Sequence, residues 1–338
     1  MVFDIWRKMK QREFAPIYLV YGTEAFLINE TKDLLLKSAL TEEEMDLNYS
    51  VYDLEETPVE LALEDAETFP FFGERKVVLL HNPVFLTAEK SKEKAAHNVE
   101  RLEAYLKEPA PYTVLVIMAP YEKLDERKKI TKELKRNAEI VEAKKLNEQE
   151  LKNWIKQRAK QFSVEIEPEA IELLLMLVGT NMFMLSSEIE KLSLYAANKK
   201  QINTAIVEKL AARTLEQNIF TLIDKVVQKK PDEALRIYYD LLKQNEEPIK
   251  ILALISAQFR LIYQTKELSR RGYGQQQIAG FLKTHPFRVK LALGQASRFK
   301  DEELVQLIDL LADADYKVKT GGMNKSLVME MLLFQLNK

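Results

Sequence analysis

Short apolar runs alternate with helix-like segments over the first ~140 residues, and at about Leu146 that alternation stops and only helical periodicity remains. Strands separated by helices predict a parallel α/β sheet, because parallel neighbours need a crossover connection between them. Ile17 to Tyr21 is a short apolar run ending at Gly22, followed by a helical stretch over Ala25 to Ala39. Val51 to Leu54 reads as a weaker strand, after which Val59, Ala62, Ala66 and Phe69 repeat at helical spacing. V-V-L-L within Lys76 to His81 and T-V-L-V-I-M-A at Thr113 to Ala119 suit strands buried on both faces. The pattern predicts a charged helix over Thr87 to Lys107 and, after a further helix, a last short strand at Glu139 to Glu142.

Beyond the change of class, residues 147–212 read as a small helical bundle, with Pro168 at a helix start and Gly179 at a helix end. About six further helices follow from Gln217 to Lys338, punctuated by Pro231, Pro248, Gly272 and Pro286. Nine glycines in 338 residues fit this reading. The ordinary share is ~7%, so positions suited to positive φ are few and long helices are favoured. The expected class is α/β plus all-α: a parallel α/β domain over 1–143, a small helical domain over 144–213 and a larger helical domain over 214–338.

Several function classes fall away on composition. The chain has no cysteine, which excludes disulfides, iron–sulfur clusters, thiolate zinc sites and a cysteine nucleophile. No run approaches the ~18 apolar residues of a spanning helix, and M-V-F-D-I-W-R-K-M-K lacks a signal-peptide core, so the expectation is a cytoplasmic protein with no membrane partner. The net charge is −2, but the charges are segregated. Residues 41–67 carry eleven Asp or Glu and no Lys or Arg, whereas 260–300 carry nine Lys or Arg against the single acid Glu267. Such a chain can present one basic face to nucleic acid while staying near neutral overall.

An α/β domain followed by a helical one raises the question of nucleotide hydrolysis. A phosphate loop needs a glycine-rich turn, a lysine and a Ser/Thr, so that backbone N–H groups and a magnesium ion can approach the phosphates. Here the turn after the first strand reads Y-G-T-E-A-F-L, with Glu24 where a phosphate would meet repulsion, and the dipeptide G-K occurs nowhere. The strand that would end in a magnesium-binding acid reads V-V-L-L-H-N-P, with His81 and Asn82 in place of acids. Asp125 with Glu126, and Asp301 with Glu302 and Glu303, read as acids at helix starts, favoured by the dipole. His81, His97 and His285 lack metal-ligand spacing, and no G-x-S-x-G serine motif occurs. No catalytic, cofactor or metal residue is assigned.

P-I-Y-L-V-Y-G-T-E-A-F-L-I-N-E near the start, E-I-E-K-L-S-L-Y-A in the middle, and the late segments N-I-F-T-L-I-D-K, N-E-E-P-I-K-I-L-A-L-I-S-A-Q-F-R-L-I, H-P-F-R-V-K-L-A-L and D-A-D-Y-K-V-K-T-G resemble the delta subunit of bacterial DNA polymerase III, in order and across nearly the whole chain. The resemblance implies a clamp-loader subunit with an AAA+-like N-terminal domain, a helical lid and a C-terminal helical collar. It implies no activity of its own within a holoenzyme that synthesises DNA, and a role in binding and opening the sliding clamp (beta). The other partners it implies are the motor subunits (tau/gamma), which supply ATP hydrolysis, delta-prime, and primer–template DNA inside the assembled loader. The S-R-C arginine-finger motif of the neighbouring subunits is absent.

In this family a hydrophobic wedge in the N-terminal domain contacts the clamp, and the matching stretch here is Phe69, Pro70, Phe71, Phe72 and Gly73. It departs from the usual form in having Phe at the first hydrophobic position and Pro before it. The helical spacing assigns Phe69 to the core, leaving Pro70, Phe71, Phe72 and Gly73 as the clamp-contact candidates. Arg270, Arg271, Lys283, Arg288 and Lys290, extended by Tyr316 and Lys319, are candidates for contact with DNA or with a partner subunit in the collar, the alternative being a solvated face. Two other classes stay open on the residues alone: an ATPase with a degenerate phosphate loop, and a helical scaffold with no nucleic-acid role.

Overall fold

The structure is a computed structural model and describes residues 2–88, 95–321 and 324–336. The chain divides into two compact units, Met1–Lys145 and Leu146–Lys338.

The first unit holds a five-stranded, all-parallel sheet. Its elements in chain order are α1 (Val2–Lys10), β1 (Ile17–Gly22), α2 (Ala25–Ala39), α3 (Glu42–Asn48), β2 (Tyr49–Asp53), α4 (Val59–Ala66), β3 (Lys76–His81), α5 (Val99–Lys107), β4 (Thr113–Ala119), α6 (Lys129–Asn137) and β5 (Glu139–Ala143). The strands lie in the order β2-β3-β4-β1-β5. In register, Leu19 of β1 stands opposite Ile117 of β4 and Ile140 of β5. Every residue of β1 and β4 is buried, as their continuous apolar runs require of strands covered by helices on both faces. The edge strand β2 is only half-buried, which is why its apolar signal is weak.

Three expectations change in this unit. The charged helix expected over Thr87 to Lys107 starts only at Val99, where the Asn98 side chain accepts the N–H of Arg101. A 3-10 turn at Val84–Leu86 precedes the expected span, and residues 89–94 of the expected helix lie outside the described residues. Helix α4 ends at Ala66, so Phe69 leaves the helical face and is exposed rather than core. Asp125 and Glu126 precede the helix start at Lys129; Asp125 accepts the Arg127 N–H and guanidinium, and Glu126 pairs with Lys135.

The second unit is helical: α7 (Glu148–Gln161), α8 (Pro168–Val178), α9 (Met182–Ala196), α10 (Thr204–Leu210), α11 (Leu215–Val227), α12 (Pro231–Lys243), α13 (Pro248–Arg270), α14 (Gln275–Phe281), α15 (Pro286–Ala296), α16 (Asp301–Thr320) and α17 (Lys325–Gln335). Seven helices follow residue 214 among the described residues, one more than the punctuation predicts. The reading of helix alone also misses a parallel pair, β6 (Glu165–Ile166) with β7 (Gln201–Ile202). Pro168, Pro231, Pro248 and Pro286 all stand at helix starts, where the missing N–H costs nothing. The long helix α13 is the spine of the core, with Ile251, Ile255, Phe259 and Ile262 fully buried where it packs against α11, α15, α16 and α17. Among the described residues no helix is long and apolar enough to cross a membrane.

Candidate functional site

Because the strands of the first unit are parallel, their carboxyl ends share one edge of the sheet and their amino ends the other. The turn that would cradle a phosphate lies at the carboxyl edge. Gly22 has φ +132, and a Cβ there would sit 2.2 Å from the carbonyl oxygen of Ala143, so the end of β5 fills the space close to this turn. The Glu24 N–H donates to that same carbonyl at 2.9 Å and is thereby turned away from any anion. Burial pushes the Glu24 carboxyl up from its usual range, with the Phe26 N–H and Lys145 acting against it. At the end of β3, burial and the Lys32 charge lower the His81 pKa, and Asn82 donates to both oxygens of Asp53 at 3.2 and 3.3 Å. The Tyr21 hydroxyl donates to Glu142, which also pairs with Lys144. Tyr21, Glu142 and Lys144 satisfy one another, as do Asn82 and Asp53. No group of three or more His, Cys, Asp or Glu residues among the described residues is arranged to hold a metal ion.

The aromatic stretch lies at the opposite edge, on the loop that enters the amino end of β3. The length of β3 separates the two regions by roughly 17 Å. Phe71 is 78% exposed and Phe72 39% exposed, their rings edge to face at 6.4 Å. Phe69, also 78% exposed, lies against Tyr112 at 4.6 Å between ring centroids. Pro70 is half-buried, and Gly73 takes φ +79, a conformation that side-chain-bearing residues avoid.

Exposed aromatics on an unanchored loop would collapse onto the nearest apolar surface; this loop is tied down by polar contacts. On the side leading in from α4, the Thr113 hydroxyl donates to the Ala66 carbonyl at 2.7 Å, Tyr112 donates to the Glu67 carbonyl at 2.6 Å, and Arg101 pairs with Glu67 at 2.6 Å. On the far side the buried Lys76 ammonium bonds Asp65 at 2.5 Å and Thr68 at 2.7 Å. Between them, the carboxamide of Asn48, at the end of α3, accepts the Phe71 N–H at 2.8 Å and donates to the Phe72 carbonyl at 2.5 Å. Sequence reasoning misses Asn48, since a lone asparagine at a helix end reads as an ordinary turn residue.

Arg270, Arg271, Arg288, Lys290 and Lys319 of the second unit are held by acids. Arg270 pairs with Glu267 at 3.0 Å and Asp301 at 3.3 Å, and Arg271 reaches Glu267 at 3.9 Å. Arg288 pairs with Glu216 at 3.2 Å, and Lys290 with Glu148 at 2.8 Å. Lys283 follows α14 in a left-handed turn. Tyr316 is exposed and Lys319 pairs with Asp315 at 2.7 Å, both near the end of α16 and roughly 22 and 27 Å along that helix from Asp301. The seven residues therefore do not form one cluster. Beside Arg271 and Lys283 in sequence stand two aromatics that the reading passes over, Tyr273 and Phe281, both exposed with their rings 5.0 Å apart.

Comparison with known proteins agrees along the full length. The family model described as DNA polymerase III, delta subunit matches residues 18–144, the model for the C-terminal domain of that subunit matches 216–336, and a model described as a middle domain matches 147–209. The DNA polymerase III subunit delta of Bacillus subtilis is 52% identical over 338 residues, covering 100% of this chain and 97% of the relative. That of Haemophilus influenzae is 24% identical over 323 residues, covering 90% and 89%. The solved structure of the Bacillus subtilis DNA clamp loader delta protein matches with a TM-score of 0.83 at 52% identity, covering 100% of this chain and 99% of that one. With one relative half-identical from end to end and sharing its fold, this chain belongs to the delta subunit family of DNA polymerase III, the clamp-loader subunits of the replicative polymerase.

Proposed function

We propose that the chain grips a sliding clamp with Phe71 and Phe72, holds its ring open for loading onto primed DNA, and carries out no nucleotide chemistry itself. The observation that carries this reading is two adjacent phenylalanines held outside the core on a loop fixed by polar bonds. Burying both rings in a partner would contribute ~3 to 6 kcal/mol by side-chain transfer, and aromatic anchors of this kind dominate interfaces. Pro70 and Gly73 shape the loop from either side. The absence of hydrolysis is supported by the Gly22 turn, whose backbone is closed against Ala143.

Family membership implies assembly with other loader subunits. The finer reading is a division into an AAA+-like clamp-binding domain (1–143), a lid (144–213) and a collar (214–338), supported by the spans of the three family models. In that reading the collar joins tau/gamma and delta-prime, and Arg270, Arg271, Lys283, Arg288, Lys290, Tyr316 and Lys319 face DNA or a neighbouring subunit.

The test is titration against a purified sliding clamp. Phe71→Ala with Phe72→Ala is expected to weaken binding about a hundredfold or more, each tenfold step being ~1.4 kcal/mol, while the protein stays folded and still assembles with the other loader subunits. Unchanged clamp affinity in the folded double variant overturns the assignment.

A further inference from the structure

The finger works only if its two rings are already outside when the partner arrives, because backbone that must be ordered on binding subtracts from affinity. Asn48 bears on this directly. Its side chain is fully buried (0% exposed), and the two ends of its carboxamide engage the backbone of the two finger residues, accepting from Phe71 and donating to Phe72. The contact bridges more than twenty positions of sequence. One residue further on, the positive φ of Gly73 brings the chain against Glu44, where an added Cβ would lie 1.8 Å from Oε1. Glu44 is itself fixed, since its carboxylate accepts the Thr41 N–H at 2.8 Å while its own N–H donates to the Thr41 hydroxyl at 3.3 Å. Helix α3 thus bonds the main chain of the two residues that carry the rings and lies close against Gly73 beside them, leaving the rings themselves to a partner.

We propose that Asn48 is a positioning residue for clamp binding: its buried carboxamide fixes the backbone of Phe71 and Phe72 so that both rings protrude in the free protein. This rests on reading those two residues as the clamp finger. Neither leucine nor aspartate can take the place of Asn48: leucine has no polar end, and aspartate keeps the acceptor for Phe71 but turns a second oxygen toward the Phe72 carbonyl.

The wild-type protein supplies the first readout. The Phe71 amide is expected to resist hydrogen exchange in the free protein although its side chain is exposed, and exchange at the rate of an unstructured chain would overturn the proposal. The second readout is a double-variant cycle against a sliding clamp. Asn48→Ala is expected to weaken binding roughly tenfold, since only a fraction of molecules then display a competent finger, and to have no further effect in the Phe71→Ala, Phe72→Ala background. If Asn48→Ala binds normally while the phenylalanine variant is weak, the finger stands and the positioning role falls. Equal loss in both backgrounds also overturns that role, because Asn48 would then act elsewhere. Normal binding by the phenylalanine variant removes the finger and the proposal together.

Discussion

In residues 1–145 the exposed phenylalanines stand on a loop outside the core, anchored through main-chain bonds, whereas in residues 146–338 the cations Arg270, Arg288 and Lys290 are paired with acids on other helices or helix starts. The first arrangement separates the side chains proposed to meet a partner from those that hold the fold. In the second, the cations proposed to face DNA or a neighbouring subunit already bridge helices, so a change aimed at such a contact would also remove a bond between helices. Side-chain chemistry alone therefore says little about which substitutions are safe. What matters is whether a side chain takes part in the contacts that hold its own unit together.

The sharpest way to break this contrast is to make one chemical change in both units. Phe259, fully buried on α13 with its ring 5.9 Å from Phe299, is expected to cost ~3–5 kcal/mol on replacement by Ala. Phe71→Ala with Phe72→Ala is expected to stay within ~0.5 kcal/mol of wild-type stability. The two tryptophans allow each unit to be followed separately: Trp6, donating to the Thr31 hydroxyl at 2.8 Å, reports the sheet unit, and buried Trp154 reports the helical one. Urea unfolding of Trp154→Phe and Trp6→Phe backgrounds then reads one unit at a time. A loss above ~2 kcal/mol in the sheet unit of the Phe71, Phe72 variant would show the finger to be part of the fold.

A middle-sized effect is expected at His285, which is buried in the helical unit. Its Nδ1 accepts the Phe287 N–H at 3.1 Å, capping α15, which leaves Nε2 to donate to the Leu146 carbonyl at 2.7 Å. His285→Ala removes the cap and the bond to the half-buried Leu146, together worth ~2 kcal/mol. His285→Asn should recover the cap and not the longer reach to Leu146. Equal unfolding midpoints for wild type and His285→Ala would mean that both bonds are replaced at no cost.

Much of this architecture is legible in the sequence. Continuous apolar runs locate β1, β3 and β4 because strands buried on both faces need them, and prolines mark four helix starts because only there is the missing N–H harmless. The failures arise where periodicity does not mark the end of an element or has too few residues in which to show. Phe69 continues the spacing of α4 by coincidence after the helix has stopped, and the two-residue strands β6 and β7 are too short to have a period. Of the candidate site, Phe71 and Phe72 are legible as a pair that cannot share one core direction. Asn48 is not, because its partners lie far along the chain and its role exists only once α3 and the loop are folded together.

The smallest effect concerns charge. Burial pushes the Glu148 carboxyl up, but hydrogen bonds from Lys152 and Lys290, each at 2.8 Å, hold it below the ordinary glutamate range. A carboxyl whose pKa is depressed by folding stabilises the native state above its unfolded pKa of ~4.3 and loses that contribution as pH falls through the folded value. The helical unit should therefore weaken on the acid side of pH ~4.3. Glu148→Gln keeps the shape and removes the charge, so its stability should be lower at pH 7 by at most ~1 kcal/mol, discounted because both lysines and the carboxylate are partly exposed. As the pH is lowered, the wild-type and Glu148→Gln curves should converge, and high salt at neutral pH should narrow the same gap. The Trp6→Phe background reports this unit alone. Parallel curves from pH 7 to 3 would show that the α7–α15 ion pair contributes nothing, and that in the helical unit these charges are as separable from the fold as the phenylalanines are in the sheet unit.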